Sequence, residues 1–108
     1  MAYDERLAAR IRERIGDHPG LAEKEMFGGI AFLIGGNMAV GVTRDELMVR
    51  VGKDAHDEAL SRPGARTLDF PGRPMAGWIN VAPDVLDDAT LAAWIDQGIA
   101  YAESLPTK

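Results

Sequence analysis

Hydrophobic positions along this chain change period several times, and each change predicts a new element. Leu7, Ile11 and Ile15 recur at every fourth residue, the repeat of an amphipathic helix. Asp4 stands where a carboxylate accepts the first free amides and Gly16 where a helix stops, so helix one is expected over about residues 4–16. From Ile30 the period becomes two. The runs Ile30–Ile34, Met38–Val42 and Leu47–Val51 are separated by Gly35-Gly36 and by Thr43-Arg44-Asp45-Glu46, connections of hairpin length that predict an antiparallel meander. Alternation then places Ile30, Phe32, Ile34, Met38, Val40, Val42, Leu47, Val49 and Val51 on one face, an apolar surface that must be covered. The other face carries Ala31, Leu33, Ala39, Gly41, Met48 and Arg50.

Beyond the meander, Lys53–Ser61 fits a short second helix that ends before Arg62-Pro63-Gly64. An extended piece around Arg66–Phe70 leads through a Pro/Gly loop into Gly77–Val81, where Ile79 and Val81 point one way and Trp78 and Asn80 the other. Pro83-Asp84 and Asp87-Asp88 supply a turn and a cap for helix three, in which Leu91, Trp94, Ile95, Ile99, Ala102 and Leu105 keep helical spacing. Gly98 inside that helix costs about 1 kcal/mol against alanine, which implies that the helix backbone approaches the sheet closely there. The predicted order is α-β-β-β-α-β-β-α, an α+β two-layer sandwich with an antiparallel sheet, as one domain over residues 1–108.

Composition narrows the class. With 46% hydrophobic and 27% charged residues the chain is of globular type rather than disordered. The longest uncharged run, Met26–Thr43, is broken by glycines at 28, 29, 35, 36 and 41 and makes a poor spanning helix, so no membrane association is expected. Charge begins at Asp4 with no preceding apolar segment, and cysteine is absent, so a cytoplasmic location is expected. The net charge of −5 is concentrated in residues 81–108, where five carboxylates face one lysine. Nucleic-acid affinity rests on Lys and Arg neutralising phosphates, so direct nucleic-acid binding is not expected.

Candidate chemistry is sparse. His18 precedes Pro19-Gly20 and His56 lies among Asp54, Asp57 and Glu58. Neither has a second histidine at ligand spacing, so both are expected at the surface and no metal site is expected. Asp87 and Asp88 fit helix caps better than an acid and base pair. Ser61 and Ser104 sit in no nucleophile motif, and Gly28-Gly29 and Gly35-Gly36 are turn glycines rather than a phosphate cradle. No catalytic residue and no cofactor is therefore assigned. Arg6, Arg10 and Arg14 form a stripe beside the apolar one; a solvated face with partners at Glu13 and Asp17 accounts for it more simply than a phosphate track.

What remains is shape. Asp69-Phe70-Pro71-Gly72-Arg73-Pro74-Met75-Ala76-Gly77-Trp78 combines two prolines that fix φ with two glycines that permit unusual angles, so this loop is expected to hold one conformation. If helices cover the Ile30/Val40/Val49 face, the reverse face presents Leu33, Met48 and Trp78 with Arg50 among them, close to Arg73 and Met75. Aromatic residues, methionine and arginine are enriched at protein interfaces. Two readings stay open: a contact surface for a protein partner or a second copy of the chain, or a second small core closed by a loop or helix.

Met26-Phe27-Gly28-Gly29, Gly36-Asn37-Met38-Ala39, Leu47-Met48-Val49-Arg50-Val51-Gly52, and Asp69-Phe70 with Gly72-Arg73-Pro74-Met75 and Gly77-Trp78 follow one another at domain-like spacing. In that order they resemble the TfoX/Sxy amino-terminal domain family over nearly the whole chain. The resemblance implies a two-layer fold similar to that of type III secretion chaperones. It also implies kinship with bacterial regulators of natural competence, which carry a second, helical domain and work alongside the cyclic-AMP receptor protein at promoters. A chain that stops at Lys108 leaves no room for that domain, so a stand-alone amino-terminal domain is expected. The resemblance brings no catalytic residues.

The expected function is a non-enzymatic regulatory or adaptor module acting through protein contacts, homodimerisation included, with Arg50, Arg73, Met75 and Trp78 as the contact centre and Met48 and Leu33 beside them. The alternative is a small-ligand-binding domain or an unrecognised enzyme in which Arg50 and Arg73 clamp a carboxylate or phosphate.

Overall fold

Two adjacent glycines turn the chain within the sheet. The structure, a computed structural model, describes residues 3–26, 28–69 and 74–107. Gly35 and Gly36 have φ of 60° and 84°, the pair of positive angles that a two-residue type I′ hairpin turn demands. They join β2 (Gly29–Ile34) to β3 (Asn37–Thr43), and β4 (Glu46–Arg50) follows after a second short turn. The sheet is completed by β1 (Leu21–Met26), β5 (Ala65–Asp69) and β6 (Pro74–Val81). Six antiparallel strands among the described residues lie in the order β1-β2-β3-β4-β6-β5.

Helices α1 (Glu5–Ile15), α2 (His56–Leu60) and α3 (Asp88–Ser104) pack on one side of this sheet. Asp4 starts α1 by accepting from the amides of Arg6 and Leu7 at 2.9 and 3.1 Å, and Gly16 ends it at φ 62°. One cluster joins Leu7, Ile11 and Ile15 of α1, Ala59 of α2 and Leu91, Trp94 and Ile95 of α3. It also contains Ile30, Phe32, Val40, Val42, Leu47, Val49, Ile79 and Val81 of the sheet. Gly98 serves the close approach that the sequence implies: a methyl there would lie 2.5 Å from the Ala39 carbonyl oxygen and 2.8 Å from Val40 Cγ1. The α+β antiparallel architecture therefore stands as read from the sequence.

Five details differ from expectation. β1 is an additional strand. Its helix-side positions are Leu21, Glu23 and Glu25, opposite Ile34, Phe32 and Ile30, so only its first residue is apolar on that side; Arg12 holds Glu23 in a two-pronged pair at 2.9–3.0 Å and Tyr3 donates to Glu25 at 3.3 Å. Charges on an edge strand also discourage pairing with another sheet. Second, β6 begins at Pro74 rather than Gly77, because a proline fits the first residue of a strand where no ladder amide is needed.

Third, alternation breaks in β3. Phe32 pairs with Val40 but Leu33 pairs with Met38, leaving Ala39 as an extra residue in a β-bulge. Met38 thereby moves to the face away from the helices, and Ala39 moves to the helix side beside Ile34 and Ala102. Fourth, α2 is shorter than Lys53–Ser61. Fifth, the stripe on α1 finds its partners on α3 rather than at Glu13 and Asp17. Arg10 reaches Asp88 and the Leu86 carbonyl, and Arg14 reaches Asp96 at 2.5 Å.

Asp87 caps α3 as expected, accepting from the Thr90 amide at 2.7 Å. That bond, then the Thr90 side chain and the nearby Arg10, holds its carboxyl below the usual carboxylate range. A carboxyl depressed in the folded state stabilises above its unfolded pKa, about 3.9, and the contribution is lost as pH falls through the lower folded value. Asp87→Asn, which still caps but does not titrate, is accordingly expected to fall behind the natural protein in urea-unfolding midpoint above that window and to draw level below it. Parallel midpoint curves from pH 2 to 7 would remove this role for the charge.

Candidate functional site

The face without helices is furnished by register. Ala31, Gly41, Met48 and Asn80 stand opposite one another across β2, β3, β4 and β6. The pairs Leu33–Met38 and Arg50–Trp78 lie on the same side of that row, two residues further along β2 and β4, which run in the same direction. A methyl added to Gly41 would lie 2.8 Å from Met38 Cε and 2.9 Å from Met48 Cε, so both methionines close over this glycine. Leu33, Met38, Met48 and Trp78 are each half-buried, and none belongs to the clusters that the helices cover. Thr43 Oγ1 donates to Met48 Sδ at 3.0 Å. The Asn80 Oδ1 atom is buried without a hydrogen-bond partner.

At the end of β4 the surface becomes polar. Arg50 Cζ lies over the Trp78 ring at 5.3 Å from its centroid and over the Tyr101 ring at 5.4 Å, both within the range of cation–π attraction. Gly77 makes the corner beside them, at φ 88°. Its carbonyl accepts from the amides of Val51 and Gly52 at 2.8 and 3.1 Å, and its own amide donates to His56 Nδ1 at 2.6 Å. An accepting Nδ1 carries a lone pair, so the neutral ring bears its proton on Nε2. Arg50, Trp78, Tyr101, Gly77, Val51 and Gly52 line a cleft of about 370 Å³ whose wall also includes Lys53, Asp54 and Ala76.

Arg50 differs in what faces it from the five arginines that are held in ion pairs. Arg10, Arg12, Arg14, Arg62 and Arg66 each meet a carboxylate, from Asp88, Glu23, Asp96, Glu58 and Glu46 in turn. Arg50 is half-buried and has no carboxylate partner among the described residues. Stacking on two rings takes the place of a counter-charge.

Of the residues singled out from sequence, Arg50, Trp78, Met48 and Leu33 thus lie on one face, with Arg50 and Trp78 in contact. Met75 is half-buried on β6 and does not line the cleft. Arg73, with the rest of the loop at 70–73, lies outside the described residues. Tyr101 and Met38 were missed. Tyr101 follows Trp94 and Gly98 at helical spacing of seven and three, which could have placed it on the sheet side of α3; Met38 was hidden by the bulge. Neither histidine is an idle surface group: His56 accepts from Gly77, and His18 Nε2 lies 3.0 Å from Glu103. Among the described residues no group of three or more His, Asp or Glu side chains is placed to hold a metal ion, and no helix is long and apolar enough to cross a membrane.

An antiparallel sheet with helices on one side, a methionine-lined reverse face and a stacked arginine at its end defines an open-faced α+β protein. The chain belongs to the TfoX N-terminal domain family, whose model matches residues 13–102. No curated protein and no solved structure matches it.

Proposed function

We propose that this protein is a non-enzymatic regulatory or adaptor module that binds another protein through the helix-free face of its sheet. The observation that carries the reading is the half-exposed cluster of Leu33, Met38, Met48 and Trp78 beside Arg50. Monomeric proteins rarely leave apolar side chains contiguous in this way without using them, and methionine packs adaptably against varied partners. Trp, Tyr and Arg are the residues over-represented where binding energy concentrates, and Trp78, Tyr101 and Arg50 meet here. Membership of the TfoX N-terminal domain family supports a regulatory setting, that of bacterial competence, in the cytoplasm. The net charge of −5 favours a protein partner over nucleic acid.

The test compares the natural protein with Trp78→Ala and Met48→Asp. Light scattering decides between self-association and a second protein, and immobilised protein recovers the latter from cell extract. Each substitution is expected to weaken the association at least about tenfold, as loss of a residue at the energetic centre does, while the circular dichroism spectrum stays the same. Complexes retained in full by both variants would refute the assignment of this face.

A further inference from the structure

Resting on the reading of the sheet face as a protein contact, we propose that the Arg50 cleft receives the carboxylate of an aspartate or glutamate on the partner. That acid would be carried between apolar residues in an extended segment. The Trp78 and Tyr101 rings lie 5.3 and 5.4 Å from the guanidinium carbon; aromatic contact of this kind engages the π faces of the cation, and the N–H edge is the part that matches a carboxylate in two parallel hydrogen bonds. Lys53 on the cleft wall adds a second cation. A monoanion fits better than a phosphate dianion, because Asp54 lines the same cleft and the chain carries a net charge of −5.

Exposure argues for a peptide rather than a small molecule. Lys53, Asp54 and Ala76 are exposed, so a lone carboxylate here would stay largely solvated, whereas sites for small ligands bury most of the ligand surface. Two residues along β4 and β6 from Arg50 and Trp78, roughly 7 Å away, stand Met48 and Asn80. Met48, half-buried on this face, offers apolar contact to a residue flanking the acid.

The experiment titrates isotopically labelled protein with acetyl-Leu-Glu-Leu-amide, with acetyl-Leu-Gln-Leu-amide and with sodium acetate, followed by two-dimensional NMR. The glutamate peptide is expected to shift the Arg50 side chain, the Gly52 and Gly77 amides and the Trp78 indole saturably, with affinity of about 1 mM. The glutamine peptide and acetate are expected to act at least about tenfold more weakly. Arg50→Gln should lose the response with the rest of the spectrum unchanged, and Arg50→Lys, which keeps the charge without the planar fork, should recover only part of it. Equal responses to the two peptides, saturation by acetate at the same concentration, or shifts away from the cleft would overturn the proposal. Shifts of the Met38 and Met48 methyls that ignore the Glu/Gln exchange would overturn the clamp alone and leave the protein-contact reading intact. That reading stands or falls by the Met48→Asp comparison.

Discussion

Gly98→Val is expected to remove most of the stability of the fold. In a solvated helix the change would be neutral to favourable, because glycine is the poorest former after proline. Here the added carbons meet the Ala39 carbonyl and Val40 Cγ1 at distances no relaxed contact allows. The sheet cannot yield, since Val40 is fully buried between α3 and its neighbours, and the helix cannot lift without uncovering Trp94 and Ile95. Overpacking of this kind costs up to about 3 kcal/mol and occasionally more, and a loss of about 3 kcal/mol in a domain of this size lowers the melting temperature by roughly 15 °C. Even Gly98→Ala should melt below the natural protein. A melting temperature raised by alanine, measured by calorimetry, would show that the contact is loose and that propensity governs this position.

The second large effect is expected at Gly77→Ala. Its φ of 88° lies where a side chain costs about 1–3 kcal/mol, and the new methyl would sit 3.0 Å from the Gly52 carbonyl carbon and 3.1 Å from the Lys53 nitrogen. Both neighbours are backbone, so relief requires that the corner open. Opening it strains the two amides that share the Gly77 carbonyl and the bond to His56 Nδ1. The expected result is a loss of about 2–4 kcal/mol, together with separation of Arg50 from Trp78, seen as a change at the Arg50 side chain in the NMR spectrum. A variant that melts within about 2 °C of the natural protein, an energy difference well under 1 kcal/mol, would show that the corner is not held as described.

Much of this architecture was legible because side-chain period and burial coincide in it. Leu7, Ile11 and Ile15 marked α1; Val40, Val42, Leu47 and Val49 marked the covered face; Gly98 announced the close packing of α3 before any coordinate did. The reading failed where burial is not apolar or where period is interrupted. β1 places glutamates toward α1 and is held by Arg12 and Tyr3, contacts between residues far apart in the chain that no local pattern encodes. The bulge at Ala39 changes the side on which Met38 lies without changing its strand propensity. For the site, parity sufficed to put Arg50 and Trp78 on one face, as partners directly opposite in β4 and β6. The convergence of Tyr101 and the corner at Gly77 depends on how α3 and the β4–α2 connection meet in space, which is a tertiary fact.

The helix that seals the sheet is also the last element in chain order. During synthesis the strands of the meander leave the ribosome some fifty residues before Trp94 and Ile95 do, so Val40, Val42, Leu47 and Val49 spend that interval with one flank bare. Asn37 later donates to the Pro106 carbonyl and His18 meets Glu103, fastening early segments to late ones. Folding can therefore be completed only once the nascent chain has grown past α3, and the interval before it is when this protein is most exposed to aggregation and to capture by chaperones.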